Sequence, residues 1–195
     1  MKVFFLGGSF DPPHKGHKFI AENCIKNNLC DKFLFVPSKK NPFKSNPFFS
    51  AESRLAMLEE IAFSINKNYN KKVEVETFEI LSKKKLSFTI DTVNHLVAKY
   101  PRDEIFMVFG IDIVKDLERW KKWEEIKNLV KLVCINRPSY EFNSSLRLEI
   151  MIENNNYNID STSIRKKIAI KNFSNLSGQV PKEILKYLTN KSNNS

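Results

Sequence analysis

Two histidines three residues apart follow an apolar run and a glycine pair near the start of the chain. The stretch reads Gly7-Gly8-Ser9-Phe10-Asp11-Pro12-Pro13-His14-Lys15-Gly16-His17. Glycines let a backbone approach a ligand closely and turn its amides towards an anion. A helix is predicted to begin beside the histidines, and the free N–H groups of a helix start attract anions. Imidazoles and lysines at such a place suit a phosphate group.

A metal site is a weaker interpretation of the same loop. His14 and His17 would need further ligands, and Asp11 is the only nearby carboxylate, so we expect no metal held by the protein alone. The stretch contains neither a dinucleotide fingerprint nor a Walker A sequence. A tight turn carrying two surface histidines remains the structural alternative.

A second candidate phosphate site lies near the C-terminal end. The stretch Ile159-Asp160-Ser161-Thr162-Ser163-Ile164-Arg165 places hydroxyls at a predicted helix start and an arginine one turn into the helix. Hydroxyls, free amides and a guanidinium can together hold phosphate oxygens. Taken alone, the stretch is also compatible with an ordinary capped helix and a surface arginine.

The elements that position these loops alternate apolar runs with amphipathic stretches. Strands are predicted at residues 2–6, 32–37, 73–80, 104–109 and 131–136, and helices at 16–28, 50–66, 89–100, 161–170 and 181–188, with one or two short helices within 111–127. This order predicts an α/β fold with a doubly wound parallel sheet, whose ligands bind beyond the carboxyl ends of the strands. We expect a single domain over residues 1–190, with a small helical part at about 160–190 and a tail at 191–195.

Composition limits the class of protein. The chain has 195 residues, of which 42% are hydrophobic and 28% charged, so extended disorder is excluded. No apolar run is long enough to span a membrane and no signal peptide is evident, so we expect a cytoplasmic protein with its three cysteines as free thiols. The net charge of +10 is compatible with a nucleic-acid surface, a polyphosphate site or a lysine-rich composition.

The first stretch resembles the H-x-G-H signature of the nucleotidyltransferase superfamily, most closely that of bacterial nicotinate-nucleotide adenylyltransferases. The C-terminal stretch is similar to the superfamily's I-S-x-T-x-I-R signature, with Asp160 where serine is usual. The resemblance implies a Rossmann-like fold and catalytic roles for His14, His17 and Arg165. It implies ATP binding by Gly7, Gly8, Ser9, Phe10, His14, His17, Gly110, Asp112, Ser161, Thr162, Ser163 and Arg165.

Three further stretches resemble the nicotinate-binding parts of that family. Residues 87–92 are similar to S-Y-T-x-D-T, with Phe88 in place of tyrosine, and Trp120 matches an aromatic residue that stacks on the pyridine ring. The loop at 37–44 is similar to P-x-x-x-P-P-H-K, with Phe43 in place of histidine. The implied nicotinate-nucleotide-binding residues are Lys44, Ser87, Phe88, Thr89 and Trp120, and two arginines, Arg54 and Arg137, also match family positions.

The implied activity is transfer of AMP from ATP to nicotinate mononucleotide, giving deamido-NAD and pyrophosphate in NAD biosynthesis. ATP, with Mg²⁺ bound to it, and nicotinate mononucleotide are the expected partners; no nucleic acid or membrane is expected, and a homo-oligomer is left open. One alternative is another nucleotidyltransferase, acting on phosphopantetheine or nicotinamide mononucleotide, or transferring CMP to a polyol phosphate. A non-catalytic phosphate- or RNA-binding module is the alternative from a different class.

Overall fold

Six parallel strands form the sheet in the part of the chain that the computed structural model describes, residues 1–40, 46–69, 72–137, 146–154, 159–173 and 176–191. The strands are β1 (Lys2–Gly8), β2 (Lys32–Pro37), β3 (Lys72–Val75), β4 (Glu104–Gly110), β5 (Lys131–Ile135) and β6 (Ile150–Ile152). Their order across the sheet is β3-β2-β1-β4-β5-β6, and every neighbouring pair is parallel. The predicted doubly wound parallel sheet is therefore confirmed.

Helices fill the connections between the strands. They are α1 (Lys15–Lys26), α2 (Ala51–Asn68), α3 (Phe78–Leu81), α4 (Thr89–Lys99), α5 (Trp123–Leu129), α6 (Ser161–Ala169), α7 (Leu176–Gln179) and α8 (Leu185–Lys191). Short 3₁₀ helices span Ile111–Arg119 and Lys182–Ile184. Ser50 caps α2, and its hydroxyl accepts a hydrogen bond from the Ser53 amide at 3.2 Å.

The side chains of β1 show how helices come to cover both faces of the sheet. Phe4 and Leu6 belong to one buried cluster together with apolar residues of α1, α2, α6 and α8. Val3 and Phe5, which alternate with them, belong to a second cluster formed with α4 and α5. Successive strand residues point to opposite faces, so a strand that is apolar at every position must be buried on both sides.

The strand order reverses its direction of growth between β1 and β4. Chain connections leave this point towards opposite edges of the sheet, which opens a crevice beyond the carboxyl ends of the two strands. β1 ends at Gly8 and β4 at Gly110, so both glycine-containing loops border this crevice. The fold thus brings together residues about a hundred positions apart.

Residues 73–80 do not form the single strand that we predicted. β3 ends at Val75, and α3 begins at Phe78. The Glu76 carboxylate accepts a hydrogen bond from the Phe78 amide at 3.1 Å, which stabilises the turn into the helix. The Val-Glu-Val-Glu alternation is therefore typical of a strand only up to Val75. Strand β6 was not predicted, since three residues carry too little periodicity.

Two other sequence expectations concern the cysteines and the membrane. Cys24, Cys30 and Cys134 are free and buried, which confirms the prediction of free thiols. In the described ranges, no helix combines the length and apolar character that crossing a membrane requires. Residues 192–195 of the predicted tail lie outside the described residues.

Candidate active site

A cavity of about 550 Å³ occupies the crevice at the carboxyl ends of β1 and β4. Its lining includes most of the residues predicted to bind substrate: Gly7, Gly8, Ser9, Phe10, His14, His17, Ser87, Thr89, Gly110, Asp112, Trp120, Ser161, Thr162 and Arg165. Lys44, with the neighbouring Phe43, lies outside the described residues. The fold therefore gathers three separate sequence motifs around one space.

Phe10 anchors the first loop beneath the histidines. Its φ of 48° lies in the left-handed region, which a bulky side chain adopts only under constraint. The ring is buried, with edge-on contacts to Phe35 at 5.7 Å and His17 at 4.8 Å between centroids. Burial of the ring therefore holds the backbone in a conformation that directs the next residues towards the cavity.

The two histidines form one unit at the start of α1. The backbone N–H of His14, the N-cap residue, donates to Nδ1 of His17 at 3.1 Å, and the rings stack with centroids 3.7 Å apart. Because Nδ1 of His17 accepts a hydrogen bond, the proton of its neutral ring is on Nε2. His17 also lines the cavity.

His14 is neutral at pH 7. Its pKa is lowered from 6.5 to about 4, mainly by burial and in addition by the nearby positive charge of Arg137, while the carboxylate of Asp160 opposes the shift. A neutral imidazole can donate one N–H and carries no charge that must be desolvated when substrate binds. His14 is thus a dipolar donor in the structure without substrate.

Asp11 connects the first loop to the segment that follows the predicted substrate-binding loop. Its carboxylate accepts from the backbone amides of Phe48 and Phe49, each at 2.7 Å, and the residue is buried. Both oxygens are therefore engaged in holding residues 48–49 against the first loop. No local pattern indicates these partners, which are more than 35 residues away.

Asp160, the departure from the family pattern, is the N-cap of α6. Its carboxylate accepts from the backbone amide of Ser163 at 2.8 Å and from the Ser163 hydroxyl at 2.6 Å. Burial acts to raise the pKa of Asp160, but the hydrogen bonds from Ser163 outweigh it and the pKa is lowered. The hydroxyl of Ser163 is thus turned onto Asp160, and Ser163 does not line the cavity, contrary to our expectation of an ATP-binding residue.

Arg165 and Ser161 join α6 to the first loop. Nη1 of Arg165 donates to the carbonyl oxygen of Asp11 at 2.7 Å and lies 3.7 Å from its Oδ2, while Nη2 donates to Oγ1 of Thr162 at 3.0 Å. The Ser161 hydroxyl donates to the carbonyl oxygen of Pro12 at 2.9 Å. The two candidate phosphate motifs therefore form one continuous surface.

Arg54 supports the loops from below. It is 1% exposed, and its Nη1 donates to the carbonyl oxygens of Ser9 and Ser38, each at 2.8 Å. These carbonyls belong to the segments that follow β1 and β2. A family position that could equally have been a surface arginine is thus a buried crosslink between two loops at the edge of the cavity.

Gly110 and Asp112 form the opposite wall. A Cβ atom at position 110 would collide with the Asp112 carboxylate, so glycine allows the Asp112 side chain to keep its present position. Oδ1 of Asp112 lies 3.7 Å from Nη2 of Arg137, which also lines the cavity. The wall therefore presents a carboxylate with a cation beside it, and the sequence did not predict this pairing.

The remaining end of the cavity contains Ser87, Thr89 and Trp120. The Ser87 hydroxyl accepts from the Lys39 amide at 3.0 Å, which fixes the turn before α4 to the end of β2. Glu79 lines the same end and accepts a hydrogen bond from the Thr92 hydroxyl. Burial raises the pKa of Glu79, against the effect of hydrogen bonds from Thr92 and Ser87. We had assigned Glu79 no role.

Two aromatic residues near this end lie outside the cavity lining. Trp123 is buried in the core and contacts Trp120 edge-on, with centroids 6.3 Å apart. Phe88 is the N-cap residue of α4, and its ring lies under the ammonium of Lys121. Of the described site predictions, Phe88 and Ser163 are the two that the cavity does not contact.

No group of three or more histidine, cysteine or carboxylate side chains in the described ranges is arranged to hold a metal ion. The carboxylates that line the cavity near the phosphate motifs are Asp11, Asp112 and Asp160, and each already has a partner described above. Beside these carboxylates, the cavity lining presents hydroxyls, imidazoles and guanidinium groups, which are groups that can bind an anion.

Comparison with known proteins places this geometry in context. The sequence model of the cytidylyltransferase-like family matches residues 5–167. The probable nicotinate-nucleotide adenylyltransferase of Fusobacterium nucleatum is 36% identical over 196 aligned residues, covering 96% of this chain and 97% of that protein. The probable nicotinate-nucleotide adenylyltransferase/Ap4A hydrolase of Mycoplasma genitalium is 38% identical over 145 residues, and the match spans 74% of this chain but only 39% of that protein.

The fold also matches solved structures. The nicotinic acid mononucleotide adenylyltransferase of Plasmodium falciparum, complexed with NaAD, superposes with a TM-score of 0.79 at 17% sequence identity. The superposition covers 97% of this chain and 95% of that one. At this identity the likeness establishes the architecture of the chain.

Proposed function

The chain belongs to the cytidylyltransferase-like family and, within it, to the nicotinate-nucleotide adenylyltransferases, and on that premise we propose how its cavity carries out the reaction. Its activity is transfer of the AMP of ATP to nicotinate mononucleotide, giving deamido-NAD and pyrophosphate in NAD biosynthesis. The observation that carries the proposal is the union of both phosphate motifs in one cavity, through the contact of Arg165 with Asp11.

The reaction needs no nucleophilic side chain. The 5′-phosphate of nicotinate mononucleotide is an anionic nucleophile; one of its oxygens forms a bond to the α-phosphorus of ATP while the bond to the β-phosphate oxygen breaks. The two substrates are both polyanions and repel each other. The work of the protein is to align them in line and to neutralise charge on the α-phosphate and the leaving pyrophosphate.

His14 and His17 are proposed to act on the transferred phosphate. The Nε2–H of His17 is fixed by the hydrogen bond that its Nδ1 accepts, so this donor is preorganised before substrate binds. His14 stacks on it and, being neutral, can donate one ring N–H without a desolvation penalty for charge. Gly7, Gly8, Ser9 and Phe10 supply backbone along the same phosphate.

Arg165, Ser161 and Thr162 are proposed to hold the β- and γ-phosphates. The two Nη groups of Arg165 donate hydrogen bonds to the Asp11 carbonyl oxygen and the Thr162 hydroxyl, and these bonds fix the guanidinium at the cavity wall. Gly110 and Asp112 are proposed to border the ribose of ATP. Ser163 is left out of this set because its hydroxyl donates to Asp160.

We propose that Mg²⁺ enters with ATP, bound mainly by phosphate oxygens as is usual for this ion. The cavity carboxylates fit that arrangement, since Asp11 and Asp160 are engaged with backbone amides and Asp112 lies 3.7 Å from the guanidinium of Arg137. When bound, the ion would offset negative charge on the triphosphate.

The other end of the cavity is proposed to receive the pyridine ring. Trp120 offers a flat face for stacking on the heterocycle, and Ser87 and Thr89 offer polar atoms at its edge. Lys44 is proposed to face the substrate phosphates from the neighbouring loop. On this proposal, the end of the cavity with the phosphate motifs receives the nucleoside triphosphate, and the end with Trp120 receives the pyridine nucleotide.

The test is pyrophosphate release from ATP with nicotinate mononucleotide, nicotinamide mononucleotide, phosphopantetheine or no acceptor. Release with nicotinate mononucleotide, matched by formation of deamido-NAD, is the expected result. Preference for phosphopantetheine would assign the chain to a different transferase. Retention of RNA that falls with salt, without pyrophosphate release from any acceptor, would favour the binding-module alternative.

A further inference from the structure

We propose that Lys121 determines the preference for nicotinate over nicotinamide mononucleotide by pairing its ammonium with the nicotinate carboxylate. The inference rests on the proposed function, because it assumes that the pyridine ring occupies the cavity end formed by Ser87, Thr89 and Trp120. Nothing in the sequence alone singled out this lysine.

Lys121 is exposed and adjoins residues of that cavity end, although it does not itself line the cavity. It follows Trp120, which lines the cavity, at the point where the 3₁₀ helix Ile111–Arg119 has ended. Its Nζ lies 4.6 Å from the centroid of the Phe88 ring, and the residues on either side of Phe88 both line the cavity. The ammonium therefore lies next to two segments that line the proposed pyridine site, with the Phe88 ring as its observed contact.

This cation is available to a ligand. Across the described ranges Lys121 forms no ion pair, although neighbouring lysines each form an ion pair with a carboxylate. Lys122 pairs with Glu125 at 2.9 Å, and Lys127 pairs with Glu124 at 2.8 Å. Asp91, in the first turn of α4, pairs with Lys84 at 2.8 Å. A free carboxylate arriving at the rim would find Lys121 without a competing acid.

The cavity end formed by Ser87, Thr89 and Trp120 also needs a positive charge if it is to bind the nicotinate carboxylate. Glu79 is the carboxyl group that lines it, and an incoming carboxylate would be repelled by its ionised form. Burial raises the pKa of Glu79, and one of its carboxylate oxygens accepts a hydrogen bond from Thr92. The repulsion between Glu79 and an incoming carboxylate is therefore reduced but not removed. Lys121 supplies the opposite charge from the solvent side.

The contact between the Lys121 ammonium and the Phe88 ring can be replaced by an ion pair with the ligand. The Phe88 ring is only partly buried, an ammonium over such a ring is bound weakly, and phenylalanine offers no hydroxyl to hold it. A carboxylate that is partly shielded from water in the cavity is a better partner. We therefore expect Lys121 to leave the Phe88 ring and pair with nicotinate when the substrate binds.

The test compares nicotinate and nicotinamide mononucleotide, which differ only in the group that Lys121 is proposed to meet. In Lys121→Met, the KM for nicotinate mononucleotide should rise roughly fivefold, the scale of one partly exposed ion pair. The KM for ATP and the kinetic or inhibition constant for nicotinamide mononucleotide should stay unchanged. Lys121→Arg should restore most of the selectivity.

Lys122→Met is the matched control, since it removes a neighbouring lysine whose partner is Glu125. It should leave the ratio of the two substrates unchanged. An unchanged ratio in Lys121→Met would overturn the proposal while leaving the activity of the unaltered chain in place. If the unaltered chain turns over neither nucleotide, the proposed function has failed, and the two failures are thereby distinguished.

Discussion

The Arg165 guanidinium donates a hydrogen bond to the carbonyl oxygen of Asp11 at 2.7 Å, across 154 positions of sequence. The same Asp11 holds residues 48 and 49 through its carboxylate. Three separate segments thus meet at one residue of the first loop. The surface proposed to hold the triphosphate is fixed before any substrate arrives.

The first prediction concerns Arg165. Lysine cannot reproduce the two contacts that its fork makes with Asp11 and Thr162. We expect Arg165→Ala to lower kcat/KM for ATP about 100-fold, with Arg165→Lys in between. Steady-state pyrophosphate release measures both. Lys166→Ala, at an exposed neighbouring position, should stay within twofold, and a loss below threefold in Arg165→Ala would remove the proposed phosphate role.

The second prediction concerns Asp11. Asparagine offers one oxygen where two backbone amides need acceptors, so one amide would face the side-chain NH₂ group. The free energy of unfolding should fall by about 1–3 kcal/mol in Asp11→Asn, as measured by urea denaturation. The matched control is Asp116→Asn, which alters an exposed pair with Arg119 and should change stability by less than about 0.5 kcal/mol. Equal effects in the two variants would contradict this account of Asp11.

The third prediction concerns pH. Since the pKa of His14 is about 4 in the folded chain and 6.5 when unfolded, only the unfolded chain binds this proton between those values. Stability from His14 is therefore present above pH 6.5 and is lost as the pH falls towards 4, by about 2 kcal/mol between pH 7 and pH 5. Below pH 4 no further loss comes from this group.

The comparison that isolates this effect is with His14→Gln. Other groups, Glu79 among them, titrate in both proteins and cancel in the difference. The unaltered chain should lose more stability between pH 7 and pH 5 than the variant does, in urea denaturation of the substrate-free protein. Parallel pH profiles would show that His14 titrates normally in the fold.

Most of the predicted site residues line one cavity because the motifs that contain them directly follow strands. His14 and Gly110 each come just after a strong apolar run, and the parallel sheet places both at the same edge. The resemblance then added Trp120 and the residues around Thr89, which no periodicity would have singled out. All of these expectations depend on short stretches of neighbouring residues, and such stretches keep their local arrangement when the chain folds.

The features that sequence reasoning missed depend on partners far along the chain. Nothing local distinguishes Glu79 from the other glutamates, and its burial is visible only when Thr92 is placed against it. Ser163 was grouped with the hydroxyls before it, yet the cap formed by Asp160 takes its side chain away from the cavity. A strand was predicted through Ile80 because alternation alone cannot show where a partner strand ends.

The central claim is that the paired histidines stabilise the transferred phosphate, and His17→Ala tests it most directly. Its kcat for pyrophosphate release with ATP and nicotinate mononucleotide should fall about 100-fold or more, the scale of one lost oxyanion donor. The variant should still fold, since His17 is only partly buried. A folded His17→Ala enzyme whose kcat is within threefold of the unaltered chain would contradict the account.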